Sequence, residues 1–123
     1  MKILIISHTY ITNVNRDKWK IFSKKYPAET LKVLFPRKWP TLLFTHKADN
    51  IDKENTPQCE FTALKAFKVG NEIRYGYYPK ALISLLKAFQ PDLIHIEQGD
   101  KEQSGHILIK AMACKVPIIA SSA

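Results

Sequence analysis

Three short groups of side chains carry residue types that could do chemistry. Glu97 and Gln98 close the run Pro91-Asp92-Leu93-Ile94-His95-Ile96 and lead into Gly99-Asp100. A carboxylate at such a point can accept hydrogen bonds from sugar hydroxyls or act as a base. Its alternative role is to cap a helix or to pair with a nearby lysine. His8, Thr9 and Tyr10 follow the apolar run at residues 3–6, where His8 is either a site residue or a satisfied turn histidine. Asn15, Arg16 and Lys18 stand near the start of a predicted helix. Cationic side chains and free helix amides can hold a phosphate there; the alternative is plain surface charge.

These groups can act together only if regular elements bring them to one place. Residues 2–7 centre on a continuous apolar, isoleucine-rich run at 3–6, expected of a central parallel strand covered on both faces. Asn15 is the expected N-cap of the first helix, with Asp17 near the positive end of its dipole and Val14 stapled to Trp19. Trp19, Phe22 and Tyr26 share one face of this helix, Lys18, Lys20, Lys24 and Lys25 the other, and Pro27 stops it. The aromatic stripe is expected to face the core; a basic amphipathic helix resting on a membrane is the alternative. Residues 31–35 predict a second strand, closed by the stiff turn Pro36-Arg37-Lys38-Trp39-Pro40, which cannot continue a central strand. Residues 42–45 read as a short strand, 47–58 as a loop, 60–69 as a strand or a short helix with its neighbours favouring the strand, and 74–79 as an aromatic turn.

Pro79 fits the first position of a helix whose buried stripe is Leu82, Leu85, Leu86 and Phe89, with Lys80, Ser84 and Lys87 opposite. The run ending at Glu97 is the next strand, with His95 expected to be a buried imidazole bonded to backbone. Asp100 and Gln103 have capping-box spacing for a helix over residues 101–114, and residues 116–120 give a last strand. Strands alternating with helices predict an α/β fold with a doubly wound parallel sheet in one domain, residues 1–123. Ligands collect at strand carboxyl ends in such sheets, which puts His8 and Glu97-Gln98 at one edge.

Composition narrows the classes. A chain of 123 residues, 46% hydrophobic and 24% charged, suffices for one compact core but not comfortably for two. No apolar run approaches the roughly 20 residues of a membrane span, and residues 3–6 are too short for a signal-peptide core, so a cytoplasmic protein is expected. Cys59 and Cys114 are too few for a disulfide framework and too isolated for zinc, and are expected as reduced structural thiols. Residues 1–47 hold ten lysines and arginines against Asp17 and Glu29, so this part carries the whole net charge of +8. Such asymmetry indicates either an anionic partner (lipid headgroups, phosphates or nucleic acid) or a solvated lysine-rich surface.

The glycines at 70, 76, 99 and 105 cannot form G-x-G-x-x-G or a P-loop. His95-x-Glu97 matches half of the zinc deaminase signature, but the P-C-x-x-C half is missing. The histidines at 8, 46, 95 and 106 lack metal-ligand spacing, and no metal is expected.

Four segments together carry a family resemblance. His8-Thr9-Tyr10, then Asn15-Arg16-x-Lys18, then Phe35-Pro36-Arg37-Lys38-Trp39, then Pro91 through Asp100, in this order and spacing, resemble the N-terminal domain of glycosyltransferases of family 4 (group 1). The resemblance covers residues 1 to about 115. It implies one half of a GT-B architecture, in which two Rossmann-like domains face each other. Such an enzyme moves a sugar from a nucleotide-sugar donor to an acceptor with retention, usually without a metal. The N-terminal domain shapes the acceptor side and the C-terminal domain grips the donor.

On this resemblance His8, Thr9, Tyr10, Glu97 and Gln98 line the acceptor cleft, and Asn15, Arg16 and Lys18 are phosphate-binding candidates. The chain departs from the family in three places. The glycine pair common after the first strand is absent, which shifts the phosphate role to Arg16. The last strand runs into Ser121-Ser122-Ala123 instead of an aromatic or histidine-bearing cleft segment. The donor domain's Glu-x7-Glu pair is missing, since the glutamates at 29, 54, 60, 72, 97 and 102 include no pair eight apart. The expectation is an acceptor-side domain lacking its donor domain and inactive alone. It needs no cofactor, because the nucleotide-sugar is a substrate bound mainly by the missing half. Expected partners are a sugar acceptor, lipid-linked in many such enzymes, the donor domain, and an anionic membrane touched peripherally at its inner face. A small basic module for anionic lipid or nucleic acid, using Lys18 to Lys25 and Arg37 to Trp39, is the rival reading; nucleic acid is the less expected partner.

Overall fold

The computed structural model describes residues 1–48, 51–71, 74–97 and 117–121. In chain order its elements are β1 (Lys2–Ile6), a 3-10 turn (His8–Ile11), α1 (Asn13–Lys25), β2 (Thr30–Pro36), β3 (Lys38–Pro40) and β4 (Thr45–Lys47). A second 3-10 turn (Ile51–Glu54) follows, then β5 (Cys59–Leu64), β6 (Ala66–Phe67), β7 (Gly76–Tyr77), α2 (Pro79–Phe89), β8 (Leu93–Glu97) and β9 (Ile118–Ser121). Five strands form one parallel sheet in the order β5-β2-β1-β8-β9. Leu4, Ile5 and Ile6 have no exposed surface because β1 pairs on both sides and is covered on both faces, as its unbroken apolar run requires.

Side chains alternate across the sheet, so register assigns them to faces. Ile5, Val33, Phe61 and His95 share one face. There Trp19 of α1 meets the His95 ring edge-on at 6.2 Å, and the Lys20 ammonium lies 5.9 Å from the Phe61 ring. Leu4, Lys32 and Ile94 occupy the other face. On that side Phe89 of α2 lies under the Lys2 and Lys32 ammoniums, at 5.9 and 5.3 Å. α1 and α2 cover opposite faces, and the predicted doubly wound α/β arrangement is present among the described residues. It is compatible with a Rossmann-like fold.

Several local expectations change. The first helix begins three residues early: its N-cap is Thr12, extended at φ −86 and ψ 126, and makes no side-chain cap bond. Asn15 instead lies inside the helix and donates its amide to the Thr9 carbonyl at 2.9 Å. Asp17 is therefore past the first turn and pairs with Lys20 at 3.5 Å, while Val14 is exposed and staples to nothing. Trp19 and Phe22 pack on the core as expected, but Tyr26 is half exposed. The strand expected at 42–45 is a turn closed by Thr41 and Phe44, and the strand is β4, one step later. His95 is half-buried rather than fully enclosed. The expected helix over 101–114, its capping box and Cys114 lie outside the described residues.

Pro36 is part of β2, and the register shows why it is tolerated. Leu31 and Arg37 donate to Gln58 and Leu64 of the β5 segment, at 2.8 and 3.0 Å. The odd-numbered amides of β2 thus face β5 and the even-numbered ones face β1. The last β1–β2 pair is Ile6 with Leu34, so at Pro36 no carbonyl waits for the missing N–H.

α2 has Pro79 in its first turn and ends at Gln90, whose φ of 51 is left-handed while its N–H reaches the Leu86 carbonyl at 2.8 Å. A side chain in that conformation costs about 1 kcal/mol that glycine avoids. Gln90→Gly is expected to raise thermal stability by a few degrees in circular dichroism melts; a lowered midpoint would refute strain at this cap.

Candidate functional site

The site lies where β1 and β8 end side by side, Ile6 being paired with Ile96. After β1 the chain winds into the 3-10 turn, begun by buried Ser7, whose hydroxyl accepts the Thr9 amide at 3.3 Å and lies 2.9 Å from the Thr9 hydroxyl. This turn buries Tyr10 and points its phenol at β8, where it donates to the Glu97 carboxylate. Lys18, one turn into α1, reaches both Glu97 oxygens at 3.2 Å. Its ammonium also lies 5.3 Å from the Tyr10 ring and 5.2 Å from the Trp19 ring. Burial first, then the bond to Glu97, pushes the Tyr10 phenol far above its ordinary pKa, so it stays a donor throughout the working range.

Of the residues proposed from sequence, the structure brings Thr9, Tyr10, Asn15, Lys18 and Glu97 to this edge. The Glu97 side chain is largely buried and Lys18 more than half exposed, so the pair presents a cation on a fixed carboxylate base. His8 is aimed elsewhere along the same edge: its ring stacks on Trp39 at 4.4 Å and meets Tyr75 edge-on at 5.8 Å. Trp39 is expected from sequence only within the rival basic surface and Tyr75 in no site, although the aromatic cluster at 74–78 is the signal that could have found the latter. Gln98 lies outside the described residues.

Arg16 points inward. It is almost fully buried, and its guanidinium donates to the Tyr10 and Ile11 carbonyls at 2.8 and 3.0 Å and to the Glu54 carboxylate at 2.7 Å. The Phe35 and Phe61 rings flank it at 5.5 and 5.9 Å. Its donors are directed at its own chain, so a phosphate would have to displace Glu54. Lys20 also pairs with Glu54, at 2.5 Å. Burial alone would raise the Glu54 pKa, but the bonds and charges of Arg16 and Lys20 outweigh it and hold the carboxyl below its usual value of 4.5.

A cavity of about 1040 Å³ opens beside edge strand β5. Arg37, Lys38, Lys47 and Lys65 line it against Asp52 and Glu60. Four cations and two carboxylates make a basic concavity suited to an anionic or polyhydroxylated ligand. Cys59, at the start of β5, is buried, and that burial pushes its thiol up to about 11 against a smaller opposing pull from Lys20. It is an inert packed thiol. Among the described residues no three His, Cys, Asp or Glu side chains group as a metal site, and no helix is long and apolar enough to cross a membrane.

Comparison with protein-family models, curated proteins and solved structures finds no match to this chain. The functional reading rests on these side chains.

Removing the Glu54 charge strands a buried guanidinium, so Glu54→Gln is expected to destabilise the fold by about 1–3 kcal/mol at neutral pH. The native Glu54 pKa is lowered, so the folded state binds fewer protons than the unfolded one between the two values. The contribution is complete above the unfolded pKa and is lost as pH falls through the folded one. The gap in thermal midpoint between wild type and Glu54→Gln should therefore hold above about pH 5 and close as the pH falls further. A gap independent of pH would exclude the ion pair as its source.

Proposed function

We propose that this chain is the acceptor-side half of a retaining glycosyltransferase of the GT-B type, completed by a donor-gripping domain. The observation that carries the reading is the meeting of Tyr10, Lys18 and Glu97 at the carboxyl edge of the parallel sheet. They come from three of the four segments on which the family resemblance rests. Open α/β sheets bind ligands at this edge. A buried phenol, an exposed ammonium and a carboxylate suit sugar hydroxyls, which need donors and acceptors held in fixed positions. The stacked His8 and Trp39 add an aromatic wall to the same edge.

Glu97 in this role orients Lys18 and Tyr10 and accepts from the acceptor sugar. Its oxygens are already engaged by two donors, which suits positioning better than proton abstraction. Arg16 holds the loop that carries Tyr10, and the phosphates of the donor fall to the other domain. The basic cavity beside β5 supports the same class of ligand through its mixed charges.

The test is saturation-transfer NMR of the purified chain against a panel of neutral and lipid-derived oligosaccharides, with a coupled assay for nucleotide-sugar turnover. Saccharide binding is expected, weakened about tenfold by Lys18→Ala, which removes one charge-assisted contact. No turnover of any nucleotide-sugar is expected. Turnover by the isolated chain would refute the half-site reading, and absence of saccharide binding at millimolar concentration would refute the acceptor-side assignment.

A further inference from the structure

The β3–β4 hairpin ends in a tip that the rest of the fold leaves uncovered. Leu42 is fully exposed, Leu43 is 91% and Phe44 57% exposed, three consecutive large apolar side chains on a convex turn. The turn is well formed: the Thr41 amide and hydroxyl both donate to the Phe44 carbonyl, at 2.8 and 2.7 Å, and the Phe44 amide donates back to the Thr41 hydroxyl at 3.2 Å. Its base is fixed as well. Trp39 is buried against His8 and Tyr75, and Ala48 donates to the Arg37 carbonyl at 2.9 Å. Pro40 packs on Gly70, where a Cβ would sit 3.0 Å from the Pro40 ring and 3.3 Å from its carbonyl.

The flanks of the hairpin are basic. Lys38 stands directly opposite Lys47 in the antiparallel ladder, and Arg37 precedes them. Like charges in a cross-strand pair destabilise the hairpin that holds them. An apolar tip next to a cluster of cations on one face of the hairpin matches the layering of an anionic bilayer, with headgroups outside and hydrocarbon within. A folded protein is a poorer match. Stable protein interfaces bury roughly 800 Å² per partner, far more than three residues at the end of a hairpin present. A bilayer accepts each inserted side chain independently.

We propose that the Leu42-Leu43-Phe44 tip inserts into the interface of an anionic lipid bilayer, with Arg37, Lys38 and Lys47 on the headgroups. The two signals act together, since neither a short apolar wedge nor three cations holds a protein on a membrane alone. The inference stands on the hairpin and does not depend on the transferase reading.

The test is flotation of the full chain with vesicles of phosphatidylcholine alone and of an equimolar mixture with phosphatidylglycerol. Binding is expected only to the mixed vesicles. The exposed triple variant Leu42→Ser, Leu43→Ser, Phe44→Ser should keep its circular dichroism spectrum and lose on the order of a hundredfold in partitioning. Lys38→Gln with Lys47→Gln should lose roughly fivefold per lysine, a loss that high salt reproduces in wild type. A tryptophan placed at position 43 (Leu43→Trp) should be quenched by lipids brominated along their acyl chains. Three outcomes overturn the proposal. One is no flotation of wild type at low salt. Another is flotation that survives the tip substitutions but is lost on replacing Lys18 and Lys25, which assigns the contact to α1. The last is a dimer in sedimentation that the tip substitutions dissolve without any vesicle binding, which assigns the tip to a second copy of the chain.

Discussion

The placement of the Arg16 guanidinium is the constraint on which the rest of this structure depends. A cation buried to this degree costs several kcal/mol unless every donor is met, and here three acceptors from two other segments meet it. The Tyr10 and Ile11 carbonyls belong to the 3-10 turn after β1, Glu54 to the loop before β5, and Arg16 itself to the first turn of α1. Only a planar group with donors spread around its edge can serve all three at once. The helix must start early enough to set Arg16 over the turn, which explains a beginning at Asn13 despite the weak helix propensity of its first residues. With the turn held from beneath, the Tyr10 phenol is left facing β8, so the geometry at Glu97 is inherited from a contact on the far side of the same loop.

That dependence marks the limit of what the sequence discloses. Elements whose burial is set by their own pattern were readable: β1 and β8 from short apolar runs, α2 from Leu82, Leu85 and Leu86 behind Pro79. Parallel order followed from alternation of strands with helices. Arg16 was recognisable as a residue with work to do, but its direction was not. Its carboxylate partner lies 38 residues away in a polar loop without periodicity, and nothing local distinguishes a guanidinium facing solvent from one facing Glu54. The helix start was misplaced for a related reason. Asn15 has the right chemistry for a cap, yet a tertiary contact moved the boundary and gave its amide to Thr9. The hairpin was half legible: its prolines announced a break in the sheet, while the pairing of Trp39 with His46 depends on where Trp39 is buried.

The open side of β5 shows how one stretch of loop serves two ends. Outward-facing amides on an edge strand invite pairing with another chain. Here Cys59 donates to the Thr56 hydroxyl at 3.1 Å and Phe61 to the Asn55 side chain at 2.8 Å. The segment that supplies Glu54 to Arg16 therefore also blunts the sheet edge beside the basic cavity. Anything that loosens the ion pair would uncover that edge.

The position of β1 in the sheet has a bearing on how the molecule is made. It leaves the ribosome ahead of the other strands of this sheet, yet its two neighbours are β2 and β8, and the second of these lies some ninety residues downstream. During synthesis Ile3 through Ile6 can pair on one side only, with β2, and the other side stays an open apolar edge until residues 93–97 emerge. A nascent chain in that state is a natural client for a ribosome-bound chaperone, and pauses in translation between β5 and β8 would lengthen its exposure.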